Sequence, residues 1–217
     1  MIGIVGRKIG MTQVFFEDGK RVPVTIIRPL SMKVIGQKTT DVHGYRAVEV
    51  AVGQKKKVRN KAEKVRFEKL ACPVPEFTKE FRLNEENSLL TDGTQITLKN
   101  LTDIKFLDVT GNTIGKGFQG VQKRYGFKGG PETHGSNFHR RVGSIGCNTY
   151  PSHVFRGKKM PGRMGCKNNT VMNIEVIKID IENNIIAVKG SVPGCRNGLI
   201  TMRPAVKKAI KNSKAGN

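Results

Sequence analysis

From Asn112 to Thr170 the chain offers almost nothing that a hydrophobic core could use. The clearest part is "GFKGGPETHGSNFHRRVGSIG", Gly126 to Gly146, which holds six glycines and two histidines. Ordering glycine costs more backbone entropy than ordering any other residue, and glycine brings no side chain to bury. A segment of this length belongs in a compact fold only when it is functional or ordered by a partner. The core must therefore be built from the chain on either side.

Those flanks carry strand signals. "MTQVFFEDGKRVPVTII" has two apolar runs around Asp18-Gly19, a strong hairpin turn. "YRAVEVAV" alternates between Gly44 and Gly53. Beyond the core-poor segment, "MNIEVIKIDIENNIIAVKGSVPG" has two apolar runs around Glu182-Asn183-Asn184, and "LITMRPAV" follows. Between the first strands and the core-poor segment the character changes. "QKKKVRNKAEKVRFEKL" is dense in cations, and Asn60 is placed to cap a helix running to about Leu70. "DGTQITL" and "IKFLDVT" then return to strand pattern. The expected fold is mainly β, a barrel or sandwich, with an α+β insertion and a long basic extension. The expected division is a β core of residues 1–54, 101–125 and 171–210, an inserted α+β subdomain of 55–100, an extended arm of 126–170, and a flexible tail of 211–217.

Charge narrows the function. The 217 residues include 39 Lys and Arg against 17 Asp and Glu, a formal net charge of +22. Nucleic acid and anionic membrane are the two broad partners for such a surface. No apolar run approaches the ~18 residues of a membrane span, so nucleic acid is expected and a membrane is not. The start of the chain, "MIGIVGRKIGMTQVFF", shows neither a signal-peptide nor a transit-peptide pattern, and the cytosol is the expected location. Cys72, Cys147, Cys166 and Cys195 form no close pair and read as free thiols.

The segment from Asn112 to Thr170 carries eleven of the Lys and Arg residues and a single acid, Glu132. It also holds Phe118, Tyr125, Phe127, Phe138, Tyr150 and Phe155. Cations neutralise phosphates, glycines let backbone approach a ligand closely, and aromatic rings stack on unpaired bases. This combination reads as an RNA-binding arm, and "VFRGKKMPGRMG" is a dense example. Three other readings compete with it. "GKGFQG" matches a dinucleotide fingerprint, but no acid follows at the required distance, so it reads as a glycine-rich turn into a short helix. His134, His139 and His153 with Cys147 and Cys166 raise the question of zinc, yet no cysteine pair accompanies them. An RNA-processing or RNA-modifying enzyme would want clustered carboxylates or a cofactor motif, and the arm has only Glu132. No metal, cofactor or small-molecule substrate is expected.

"MIGIVGRKIGMTQVF", "DVTGNTIGKGFQGVQKRYGFKGGPETHGSNFHRRVGSIG", "VFRGKKMPGRMG" and "VKGSVPG" occur here in order. Together they resemble the bacterial-type ribosomal protein L-three family of the large subunit. The resemblance implies a six-stranded translation-protein-type β-barrel with an inserted subdomain and an RNA-threading extension. It implies direct binding to large-subunit ribosomal RNA, a role early in subunit assembly, neighbouring large-subunit proteins as partners, and no catalysis by the protein. It also places a loop around Ser144 to Ser152 near the peptidyl-transferase centre, with Asn148 and Thr149 closest. Some bacterial relatives carry an amide-methylated glutamine at the position of Thr149, and threonine has no such amide. The expected RNA contacts are Lys8 near the start, Lys116, Lys123, Arg124 and Lys128 entering the arm, and His134, His139, Arg140 and Arg141 within it. Asn148 and Thr149 form the expected tip, and Arg156, Lys158, Lys159, Arg163 and Lys167 lie on the return. The ribosome is expected to be cytoplasmic, or that of an organelle if the gene is organelle-encoded.

Overall fold

In the computed structural model, which describes residues 3–55, 57, 60–83, 91–98 and 104–208, the two apolar runs around Gly19 do form a hairpin. Strand β1 (Ile4–Phe15) pairs antiparallel with β2 (Arg21–Pro29). Gly19 turns between them at φ +73°, a conformation that other L-residues rarely adopt. In chain order the next elements are β3 (Met32–Lys38), α1 (Thr40–His43), β4 (Ala47–Val52), α2 (Lys61–Lys69), β5 (Phe77–Arg82), β6 (Gln95–Ile96) and β7 (Phe106–Asn112). They are followed by β8 (Phe118–Gln119), α3 (Val121–Tyr125), β9 (Gly162–Arg163), β10 (Asn168–Asp180), β11 (Ile185–Lys189) and β12 (Leu199–Pro204). The chain divides into two compact units, Met1–Asn112 with Asn168–Asn217, and Thr113–Lys167.

Six strands of the first unit close a barrel in the order β1-β12-β7-β10-β11-β2. Closure leaves no strand edge open, which removes the usual route to edge-to-edge association. The interior is apolar: Ile27, Leu107, Val109, Ile186, Val188 and Met202 have no exposed surface. The buried polar side chain of Thr25 donates its hydroxyl to the Gly190 carbonyl at 2.6 Å, as a buried hydroxyl must to avoid the cost of desolvation. At Gly6 two strands approach so closely that a Cβ would lie 2.8 Å from the Arg28 carbonyl oxygen.

The remaining strands of this unit form a second sheet in the order β5-β4-β3-β6. This corrects the expected division. β3 and β4 lie within the span 1–54 assigned to the barrel core, yet they pair with each other and with β5 and β6. An alternating pattern shows that a segment is a strand with a buried face, and it carries no information about which sheet receives it. The two sheets share one core. Met32, Val34, Val48, Val50, Val52 and Phe81 belong to the same buried cluster as Ile4, Ile27 and Leu107.

The helix predicted after Asn60 forms as α2. The Asn60 side chain accepts from the Ala62 amide at 3.0 Å, satisfying one of the orphan donors of the first turn. Phe67 is its buried residue and packs with Ile35 and Ala51. On the exposed side of the second sheet, Lys38 donates to Glu80 at 2.7 Å and to the Tyr45 hydroxyl at 3.0 Å, and that hydroxyl donates to Glu80 at 2.9 Å. The bond from Lys38 holds the Glu80 carboxyl below its ordinary range, and the bond to Glu80 raises the Lys38 ammonium above its own. The hairpin predicted around Glu182-Asn183-Asn184 forms between β10 and β11. β10 starts at Asn168, earlier than expected, because Asn168, Asn169 and Thr170 pair with Asn112, Gly111 and Thr110 of β7. The expected tail of 211–217 lies outside the described residues.

Candidate nucleic-acid interface

The second unit, Thr113–Lys167, starts and ends as two chain segments laced together through the backbone. The Thr113 amide donates to the Lys167 carbonyl at 2.9 Å, and the Cys166 amide donates back to the Thr113 carbonyl at 3.1 Å. The Lys116 amide donates to Met164 and the Met164 amide to Gly117, both at 2.9 Å. The ribbon continues into β8 and β9, with Phe118 opposite Arg163 and Gln119 opposite Gly162. This ladder is why the unit begins at Thr113 and ends at Lys167, where the sequence placed the arm at 126–170. Part of the order expected from nucleic acid is thus supplied by the protein's own hydrogen bonds.

The short helix predicted after the "GKGFQG" turn is α3. It ends on Gly126 at φ +75°, whose amide bonds back into the last turn, the left-handed cap that glycine supplies without strain. Among the described residues of this unit, Val121 is the single buried hydrophobic side chain, 1% exposed. Polar side chains take over the work of a core. Gln122 Nε2 donates to the carbonyls of Lys128 (3.3 Å) and His139 (3.2 Å). The Gly130 amide lies 3.0 Å from the Phe138 carbonyl. Segment 128–139 is thereby folded back against α3. His139 Nδ1 is 2.8 Å from the Pro131 carbonyl. A carbonyl only accepts, so the proton of that bond sits on Nδ1.

Of the expected RNA contacts, all except Lys8 fall in this unit. Lys116, Lys123, Lys128, Arg140, Arg141, Arg156, Lys158, Lys159, Arg163 and Lys167 are exposed. Among the described residues none of them forms an ion pair with a carboxylate. Glu132, the only acid of the unit, lies 3.9 Å from His139. Asn148 and Thr149 are exposed, in a loop bounded by the left-handed residues Gly143 and Ser152. That loop is held by local bonds, from Ser144 Oγ to the Gly146 carbonyl and from Ser152 Oγ to the Thr149 carbonyl. His134 is exposed, at φ +59°.

Besides His139, Arg124 and Lys8 of the expected contacts have internal tasks. Arg124 donates from Nη1 to the Met160 carbonyl at 2.6 Å, and its guanidinium lies over the Tyr125 ring at 5.0 Å. A Cβ at Gly162 would sit 2.6 Å from that Nη1, so glycine makes room for the arginine. Arg124 ties α3 to the returning chain. Lys8 lies on β1 in the barrel unit, where its ammonium donates to the carbonyls of Val192 (2.8 Å) and Gly194 (3.3 Å). Sequence reasoning missed these tasks and that of Gln122, because no local pattern separates a structural cation from a free one. Among the described residues no three His, Cys, Asp or Glu side chains come together, so the candidate zinc residues assemble no ligand set there. Among the same residues no helix is long and apolar enough to cross a membrane.

The resulting surface is cationic, acid-poor and studded with exposed rings, including Phe118, Phe138, Tyr150 and Phe155. Its chemistry suits a polyanion that carries flat apolar groups. Comparison with known proteins identifies a family. The family model described as "Ribosomal protein L3" matches residues 78–182. The chain is 46% identical over 209 residues to the large ribosomal subunit protein uL3 of Tolumonas auensis, covering 95% of this chain and 99% of that one. It is 45% identical over 205 residues to the protein of the same name from Acetivibrio thermocellus, covering 94% and 97%. For the one from Trichlorobacter lovleyi the figures are 43% over 206 residues, 94% and 97%.

Proposed function

Because the chain belongs to the ribosomal protein L3 family, we propose that it is a structural protein of the large ribosomal subunit, not an enzyme, and that it binds large-subunit ribosomal RNA directly through the unit Thr113–Lys167. In this reading the closed barrel is of the translation-protein type, and the second unit is an extension that runs along RNA. One observation carries the reading. The exposed Lys and Arg residues of that unit have no carboxylate partners among the described residues, although a free protein gains from pairing its charges. Phosphates are the partners such a surface lacks.

The test is the salt dependence of binding. Neutralising Lys158, Lys159 and Arg163 together to glutamine is expected to lower the slope of log K against log salt by roughly 2–3, each lost phosphate contact removing about 0.7–0.9. These side chains are exposed, so the fold is expected to survive. An unchanged slope would move the RNA contact to another part of the chain.

The same reading gives the protein a role early in subunit assembly and brings the loop around Asn148 and Thr149 close to the peptidyl-transferase centre. The stretch "GSIGCNTYP" has no cation between Gly143 and Pro151, whereas its flanks are basic. Cations on the flanks grip phosphates, while a small neutral loop approaches crowded RNA without perturbing its charge. Subunits carrying Thr149→Arg are expected to assemble, and to show an altered rate of peptide transfer in a single-turnover assay or an altered response to drugs bound at that centre. Identical rates and identical inhibition curves would contradict this placement.

A further inference from the structure

Phe118 has no structural reason to be aromatic. It is 76% exposed, and among the described residues no other ring and no cation contacts its ring. It stands in β8, directly opposite Arg163 of β9. Residues directly opposite in an antiparallel pair leave the same face of the ribbon, so Phe118 and the exposed Arg163 project from the same side. The approach is open. At Gly117 and at Gly120, either side of Phe118–Gln119, an added Cβ would meet nothing within 4 Å. The position is also rigid, because the amides of Lys116 and Met164 close the ladder immediately beside it, each at 2.9 Å.

We propose that Phe118 and Arg163 form a stacking site for one unpaired nucleobase, the ring covering the base and the guanidinium pairing with an adjacent phosphate. The site rests on the RNA-binding reading above and deepens it. An aromatic side chain on a rigid ribbon loses little entropy when a base stacks on it, and any base presents a face to stack. Carboxylates are absent from the ribbon between Thr113 and Arg124 and from the returning chain between Arg156 and Lys167. A protein partner for this patch would have to bring its own acids, whereas a nucleotide brings its anion with it.

Stacking and charge pairing separate experimentally, because only the second depends on salt. With transcribed large-subunit ribosomal RNA as the probe, Phe118→Ala is expected to weaken binding about tenfold at every salt concentration and leave the salt slope parallel to that of the parent. Phe118→Leu keeps an apolar side chain without a π face and is expected to behave like Phe118→Ala. The chain contains no tryptophan, so Phe118→Trp creates a single indole reporter. That variant is expected to bind like the parent, with its emission quenched when RNA saturates it. Parent-like affinity in Phe118→Ala, full recovery in Phe118→Leu, or unchanged indole emission at saturation would each overturn the stacking site. If stacking fails while the Lys158, Lys159 and Arg163 variant still loses slope, RNA binding through the arm stands without it. If that slope is also unchanged, the RNA-binding reading itself has failed.

Discussion

Phe81→Ala is expected to destabilise the first unit by about 3–5 kcal/mol, the usual cost of truncating a fully buried aromatic ring. Among the described residues Phe81 heads the large side chains that are essentially sealed from solvent, at 2% exposure. It sits on β5, an edge strand of the second sheet, opposite Val48. Its cluster nevertheless includes Ile4, Ile27 and Met202 of the barrel. A Cβ added at Gly3 would come within 2.7 Å of the ring, and the Arg203 guanidinium lies over it at 5.3 Å. A cavity at this point cannot collapse easily, because its walls are strands fixed by ladder hydrogen bonds in both sheets. Urea denaturation followed by far-ultraviolet circular dichroism measures the loss. Phe118→Ala serves as the comparison, since a side chain 76% exposed should change stability little. A loss below about 1 kcal/mol for Phe81→Ala would mean that the two sheets do not share a core.

Gly165→Val is expected to do the opposite, leaving the barrel intact and breaking the base of the arm. Gly165 has φ +79°, and a Cβ there would lie 2.2 Å from the Ile114 carbonyl oxygen and 2.9 Å from the Gly115 Cα. Both obstacles are backbone atoms, held by the bonds from the Lys116 amide to Met164 and from the Cys166 amide to Thr113. Relief therefore requires the ladder to open. The left-handed conformation adds a further penalty for a β-branched residue. Amides of Lys116, Met164 and Cys166 should lose protection in hydrogen exchange, while those of β1, β7 and β12 keep theirs. RNA affinity should fall at least about tenfold, equivalent to ~1.4 kcal/mol, because the cations on either side of the ribbon lose their fixed spacing. Gly117→Ala is the milder comparison. Gly117 also has positive φ, but a Cβ there meets nothing within 4 Å, so only the conformational penalty of roughly 1–2 kcal/mol applies. Retained protection at Lys116, Met164 and Cys166 in Gly165→Val would remove the argument that glycine is required there.

Local features of the fold were legible because each depends on neighbours in sequence. Asp18-Gly19 and Glu182-Asn183-Asn184 mark hairpins, since turn chemistry acts over a few residues. Asn60 announces α2, since a cap bonds within its own first turn. Tyr45 to Val52 reads as a strand for the same reason. The site was partly legible too. The excess of cations and the shortage of core residues between Asn112 and Thr170 locate the cationic unit without coordinates. Nothing local distinguishes Arg124, whose guanidinium is occupied by Met160 and Tyr125, from Arg163, which is exposed. Nothing local shows that the Lys8 ammonium is taken by the carbonyls of Val192 and Gly194.

The sequence by itself determined a strand-rich fold, an interrupted core and a strongly cationic surface, because periodicity, turn residues and net charge are properties of the chain. The tertiary structure alone decided that β3 and β4 join a second sheet while β1 and β2 close the barrel. It also decided that the arm begins at Thr113, and which cations remain free. Those outcomes turn on pairings between residues far apart in the chain, such as Asn112 with Asn168 and Phe118 with Arg163. A two-residue period specifies which face of a strand is buried and leaves its partner open. Likewise, whether a cation stays available depends on which carbonyls and rings the fold brings to it.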